Sequence, residues 1–205
     1  MSKSLGNVIV PTDIIEKYGS DAIRLWAGSM KWGTDAACDE KSIDAKRKLV
    51  MKFFNASKFV FGFGSTEYTP VSSNYNAVDL AYIAKLDMVI KSSERYFLEN
   101  DYTGALISTE QAFWDFCDNY LEIVKGRAYT GDKSALITLM LTLETFCALF
   151  APFMPFITEE VSVAHPWNQD GKSIHKVPFP SLWQGFIPKE FVGKYSGYEI
   201  LCELV

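Results

Sequence analysis

The sequence predicts a mainly α-helical fold, a helical bundle preceded by a short α-helical segment. Three observations carry that expectation. Apolar residues recur at the helical period over several long stretches between residues 40 and 151. Capping residues or glycine and proline breakers bound each stretch. No glycine-rich loop of the Rossmann or Walker type is present, and no Ser-His-Asp or Cys-His arrangement stands out. Long helices joined by loops bury their apolar faces as an antiparallel bundle.

Residues 1–10 read as a loop running into a short extended piece, Val8-Ile9-Val10. Pro11-Thr12-Asp13 starts a helix. Thr12 can cap it, Asp13 and Glu16 suit its positive end, and Gly19 stops it. Ser20-Asp21 begins a second helix with Ile23, Trp26 and Ala27 on one side, and Gly28 to Thr34 is a breaker stretch. A long helix follows, roughly Glu40 to Phe61, ending in Gly62-Phe63-Gly64. Residues 64–76, rich in Ser, Thr, Asn and Tyr, form a loop. The next helix spans about Ala77 to Leu98, with Leu80, Ile83, Ala84, Leu86 (or Asp87) and Ile90 at helical spacing. Asp101-Tyr102 starts another that reaches about Val124 and carries Leu106, Ala112, Phe113, Phe116 and Tyr120. Asp132 or Ser134 caps the following helix, which ends at Ala151-Pro152. Pro155 opens a short one to about Val163. After His165-Pro166-Trp167 the chain is irregular and proline-rich through Pro188, and 198–205 reads as a strand or the start of a further element.

Composition bounds the function. With 48% hydrophobic and 22% charged residues the chain can build a core. The longest apolar run, around Leu136–Phe156, is broken by Thr138, Thr142, Glu144 and two prolines, so no membrane span is expected and the chain reads as soluble and intracellular. Cys38, Cys117, Cys147 and Cys202 lack metal-type spacing, and His165 and His175 join no cluster, so the reading is reduced thiols and no metal. A net charge of -5 argues against nucleic acid only on average, because a local basic face binds phosphates on an acidic protein.

Such a face is present on the 40–61 helix. With Ile43 at zero and about 100° per residue, Val50, Phe54, Ser57 and Phe61 fall near zero, beside Phe53 and Val60, as the buried side. Lys41, Ala45, Lys48, Lys52, Asn55 and Phe59 fall opposite, a stripe roughly 27 Å long. A lysine stripe alone is usually a solvated face. A phenylalanine within it has to meet other protein or a ligand. Lysines on phosphates, a ring under a base and an amide on a base edge suit single-stranded RNA. Packing of Phe59 under the 64–76 loop or the C-terminal segment is the competing reading.

The opening residues bring a resemblance. Met1-Ser2-Lys3-Ser4, continued by Leu5-Gly6-Asn7-Val8-Ile9, Pro11, Ile15, Tyr18-Gly19, Asp21-Ala22 and Arg24, resembles the KMSKS signature of class I aminoacyl-tRNA synthetases and its sequel. Phe54-Asn55-Ala56-Ser57-Lys58-Phe59-Val60 is similar to the asparagine-containing helix of valyl-tRNA synthetases. Trp114-Asp115-Phe116-Cys117-Asp118, with Tyr120-Leu121-Glu122 and Lys125, resembles their next bundle helix. Pro152-Phe153-Met154-Pro155-Phe156-Ile157-Thr158-Glu159-Glu160 and Ser173-Ile174-His175 complete the match over about residues 1–185. Ala36-Ala37-Cys38-Asp39-Glu40 departs from the usual family wording next to Lys41.

By this resemblance, residues 1–38 are the KMSKS loop and stem-contact segment, 39–190 the anticodon-binding helical bundle, and 191–205 the start of a C-terminal extension or tail. The family's nucleotide-binding fold, HIGH-type signature and editing domain would precede residue 1, so the chain reads as a C-terminal piece. The parent would be a cytoplasmic, monomeric ligase with no membrane association. It would join valine to tRNA(Val) using ATP and Mg2+, and the piece itself would use no cofactor and be inactive. Met1, Ser2, Lys3 and Ser4 would form the ATP-binding loop, and Lys3 would be catalytic in the parent, its mobile ammonium following charge that develops on phosphate oxygens. Partners would be the tRNA(Val) anticodon stem-loop and the upstream catalytic domain of the same chain. The stem-loop would meet Lys41, Lys48, Lys52, Asn55 and Phe59, with Phe59 stacking. Arg127 and Lys125 are weaker candidates for the same contact, with charge compensation at a helix end as the equal competing reading. The alternatives are the same region of an isoleucyl or leucyl enzyme, or a helical protein-docking scaffold without RNA contact.

Overall fold

The computed structural model describes residues 11–34, 38–64, 75–166, 168 and 170–180. The MSKS loop, the extended piece at 8–10, most of the 64–76 loop and the segment 198–205 lie outside the described residues. The helices are α1 (Pro11–Tyr18), α2 (Ser20–Gly28), α3 (Glu40–Phe61), α4 (Ala77–Leu98), α5 (Tyr102–Asp115), α6 (Leu121–Tyr129), α7 (Lys133–Phe150) and α8 (Pro155–Ala164). A 3-10 turn covers Ile174–Lys176, and no strand occurs among the described residues.

Side-chain carboxylates or amides begin the bundle helices. Asp39, Asn76, Asp101 and Asp132 each accept a backbone N–H from the first turn of α3, α4, α5 and α7. Asp132 is thus the α7 cap, and the Ser134 hydroxyl turns instead to Asp79. At α1 the helix already starts at Pro11, whose missing N–H costs nothing at that position, so Thr12 lies inside the first turn and does not cap it. In α2 the buried side is Asp21, Ala22 and Leu25, while Ile23 and Trp26 are half-buried and Ala27 is exposed. The reason is tertiary: the Asp21 carboxylate accepts the N–H groups of Phe156 and Ile157 (3.2 and 2.8 Å) and so caps α8 from the far end of the chain.

Helices α5 and α6 form one rod, joined by a π-helical turn at Phe116–Tyr120. The rod runs past the expected end near Val124 to Tyr129. Phe113, Phe116 and Tyr120 all face the core across this turn. It also sets Asp115 within 3.1 Å of Lys85 on α4 and Asp118 within 3.5 Å of Lys52 on α3.

Cross-contacts fix the helix directions. Lys46–Glu110, Lys52–Asp118 and Phe59–Tyr129 ascend together, so α3 runs parallel to the rod. Lys85–Asp115 and Arg127–Asp79 descend along α4, and Phe113–Phe150 and Phe116–Phe146 along α7. The result is an up-down-up-down bundle, as the sequence predicts. Phe53, Phe113, Phe116, Phe146 and Phe150 fill its centre, with edge-on ring pairs such as Phe113–Phe146 at 5.4 Å. Contrary to the expectation from its threonines, α7 is long and apolar enough to cross a membrane by length and composition. With 78% of it inside the bundle, it is the central core helix.

The α1–α2 segment sits on the bundle's lower end. Leu25 joins the common core, the Arg24 guanidinium donates to the Pro152 carbonyl at 2.9 Å, and the Thr103 hydroxyl donates to the Gly28 and Met30 carbonyls.

Candidate nucleic-acid interface

The buried face of α3 is not centred on Ile43. Ile43, Phe53, Ser57 and Val60 are buried as expected, but Leu49 and Ala56 are buried with them, whereas Val50, Phe54 and Phe61 are only half-buried. At 100° per residue the face is turned by about 80° from the expected one. Phe53 decides this. Its ring wedges between Phe113 (5.6 Å) and Phe150 (5.7 Å), and the helix rolls to follow it.

The predicted stripe therefore leans toward the α5–α6 rod instead of pointing straight out. Lys41, Lys48 and Asn55 are open to solvent. The Lys48 ammonium lies 3.0 Å from Asp44 one turn back, and that hydrogen bond holds the Asp44 carboxyl below its usual range. Lys52 is half-buried, its ammonium 5.4 Å above the Trp114 ring and 3.5 Å from Asp118. Phe59 is half-buried against Phe63 (ring centroids 5.0 Å apart) and Tyr129 (6.3 Å). Most of the 64–76 loop and the C-terminal segment, the cover expected for Phe59, lie outside the described residues; the ring contacts described are with Phe63 and Tyr129.

The candidate surface is thus a seam between two rods. One side carries Lys41, Lys48, Lys52, Asn55 and Phe59, the other Trp114, Asp118, Lys125 and Tyr129. On the second side the sequence points only to Lys125, as a weaker candidate than the α3 stripe. Trp114 and Asp118 are visible there only as part of a family-like stretch, and Tyr129 falls beyond the expected helix end. Arg127, a helix-end charge in sequence, is held inward: its guanidinium donates to both oxygens of the fully buried Asp79 (3.0 and 2.5 Å). Tyr120 (2.7 Å) and Ser134 donate to the same carboxylate. Burial first, then the Asp79 charge, pushes the Tyr120 phenol well above its ordinary value.

No group of three metal-ligating side chains occurs among the described residues. Cys117 and Cys147 are buried free thiols, and burial pushes Cys117 up to about 12. The His165 ring is buried 3.1 Å from the Met140 carbonyl.

A family model described as the anticodon-binding domain of tRNA ligase matches residues 79–199. The chain belongs to this anticodon-binding domain family. A second model, tRNA synthetases class I (I, L, M and V), matches residues 1–39. Helix α3 falls between the two matched stretches, while the rod side of the seam lies inside the anticodon-binding domain. The valine–tRNA ligase of Thermobifida fusca is 43% identical over 187 residues, 89% of this chain and 21% of that protein. That of Salinispora tropica is 44% identical over 188 residues, 88% of this chain and 21% of that protein. The chain spans about a fifth of the length of the curated relatives it matches. Its fold is also that of a chain in the LeuRS–tRNA–LeuAMS ternary complex from Agrobacterium radiobacter. The TM-score is 0.69 at 21% identity, over 94% of this chain and 22% of that one.

Proposed function

We propose that this chain is the part of a valine–tRNA ligase that holds the anticodon stem-loop of tRNA(Val). The observation that carries the reading is its identity of 43–44% to valine–tRNA ligases over nearly nine tenths of its length. The seam supports it: open cations at Lys41 and Lys48, a cation over an indole at Lys52, and an aromatic group around Phe59 and Tyr129 suit an unstacked RNA loop. The parent would be a cytoplasmic, monomeric enzyme that activates valine with ATP and Mg2+, with Met1, Ser2, Lys3 and Ser4 at the ATP. Residues 1–38 would serve stem contact and 39–190 anticodon binding.

The test is titration of a tRNA(Val) anticodon hairpin onto the chain across a salt series. Affinity falls linearly with log salt if phosphates are bound. Lys52→Ala reduces the slope by about one, and Phe59→Ala weakens binding. Salt-insensitive association, or both variants binding as the parent does, would leave the seam a solvated or protein-docking face. ATP–pyrophosphate exchange by the chain alone would contradict the assignment of catalysis to the rest of the parent.

A further inference from the structure

We infer that Tyr129 is a base-stacking residue of this seam, its ring taking one unpaired base of an RNA hairpin loop. The inference rests on the RNA-binding reading above and names a residue on the rod side that the sequence does not single out.

Tyr129 is 69% exposed, one of the most open large side chains among the described residues. Its ring is nevertheless held. It meets Phe63 at 5.1 Å and 76°, and Phe59 at 6.3 Å and 84°, while Phe59 and Phe63 meet each other at 5.0 Å and 82°. Three rings set nearly perpendicular to one another brace the tyrosine from one side and leave most of it to solvent. The backbone beneath is fixed as well. Arg127, two residues earlier, is clamped on Asp79, and its carbonyl accepts the N–H groups of Thr130 and Asp132 at 3.1 and 3.0 Å. A ring already ordered loses little freedom when a base lands on it, which is what a stacking platform needs.

Charge around the ring favours RNA over an apolar partner. Lys125 lies one turn back on the same face of α6, and Lys133 opens α7 just beyond the loop, whereas the Lys58 ammonium lies 5.5 Å over the Phe54 ring. Lys58 and Lys133 are exposed, and Lys125 is partly so. Glu122 is offset by Lys125 and Asp132 by Arg127, so these pairs add no negative charge at this end and the exposed Lys133 supplies the positive charge.

The experiment compares the parent chain, Tyr129→Ala and Tyr129→Phe. Each is titrated with the tRNA(Val) anticodon hairpin and with hairpins carrying an abasic site at each loop position in turn. Tyr129→Ala weakens binding of the intact hairpin roughly 5- to 150-fold, the range for losing one aromatic–base stack. Tyr129→Phe stays within about twofold of the parent, because the ring suffices. One abasic hairpin loses the difference between parent and Tyr129→Ala, and 2-aminopurine at that position is quenched by the parent and not by Tyr129→Ala. Thermal unfolding of Tyr129→Ala stays near the parent, since the side chain is mostly solvated. If the parent binds and Tyr129→Ala binds equally well, the assignment of Tyr129 is wrong while the RNA reading stands. The assignment is equally overturned if Tyr129→Ala weakens every abasic hairpin as much as the intact one. If the parent binds no hairpin, both fall.

Discussion

Replacing Asp79 by alanine removes the acceptor at the centre of the bundle's upper end. The carboxylate is fully buried and takes two hydrogen bonds from Arg127, one from Tyr120 and one from Ser134. Alanine leaves a guanidinium about three quarters buried, with Asp132 at 3.5 Å as its remaining carboxylate. Removing one partner of a buried pair costs about 3–5 kcal/mol. The buried Tyr120 and Ser134 hydroxyls lose this acceptor as well, which adds to the cost. A domain is typically stable by about 5–15 kcal/mol, so the variant folds weakly or not at all at high temperature. For a chain of this size the loss lowers Tm by about 6–20 °C. Urea and thermal unfolding of the single variants and of Asp79→Ala/Arg127→Ala measure it. The double variant should fall short of the summed single losses by about 1 kcal/mol or more, because deleting the arginine also deletes the stranded charge. A loss under about 1 kcal/mol for Asp79→Ala, with additive doubles, would refute the reasoning and make the cluster a solvated surface feature.

Two glycines give opposite expectations for one substitution. A Cβ at Gly104 meets Asp101 Oδ2 at 2.5 Å and the Tyr96 ring at 2.7 Å, so Gly104→Ala disturbs the α5 cap and costs about 1–3 kcal/mol. Gly126 has nothing within 4 Å, so Gly126→Ala stabilises α6 by about 0.5–1 kcal/mol; a loss there would refute the assignment of open space. Burial pulls the His165 pKa below 6.5, against the hydrogen bond to the Met140 carbonyl. The unfolded chain then takes up a proton first, so this contribution is present above about pH 6.5 and lost as pH falls through the folded value. Urea midpoints at about pH 7.5 and about pH 5 should differ less in His165→Asn than in the parent. Lys48→Gln should leave the unfolding midpoint near that of the parent while lowering the salt slope for hairpin binding by roughly 0.7, the value for one phosphate contact on a single strand.

Much of the architecture is readable along the chain. The bounds of α3 and α4 follow from the cap and breaker residues that close them, and the up-down order follows from apolar faces that must meet. Local signals reach only as far as local physics. The π turn at Phe116–Tyr120 leaves no mark in the sequence, because the buried Phe113, Phe116 and Tyr120 keep ordinary helical spacing across it. Likewise Asp21, an ordinary first-turn acid in sequence, caps a helix whose Phe156 N–H lies 135 residues away.

For the candidate site, residue identities come from the sequence and their company from the fold. Lys41, Lys48, Lys52, Asn55 and Phe59 share one sector of α3 by helical geometry alone. Which of them stays open depends on the roll of α3, and that roll is fixed by Phe53 seating between Phe113 and Phe150. The same roll carries Lys52 onto Trp114 and Phe59 onto Tyr129. Periodicity determined that this protein is a helical bundle with a basic, aromatic-bearing face. Only tertiary packing, which balances ring volumes across helices distant in sequence, decided that the face is a seam between two rods.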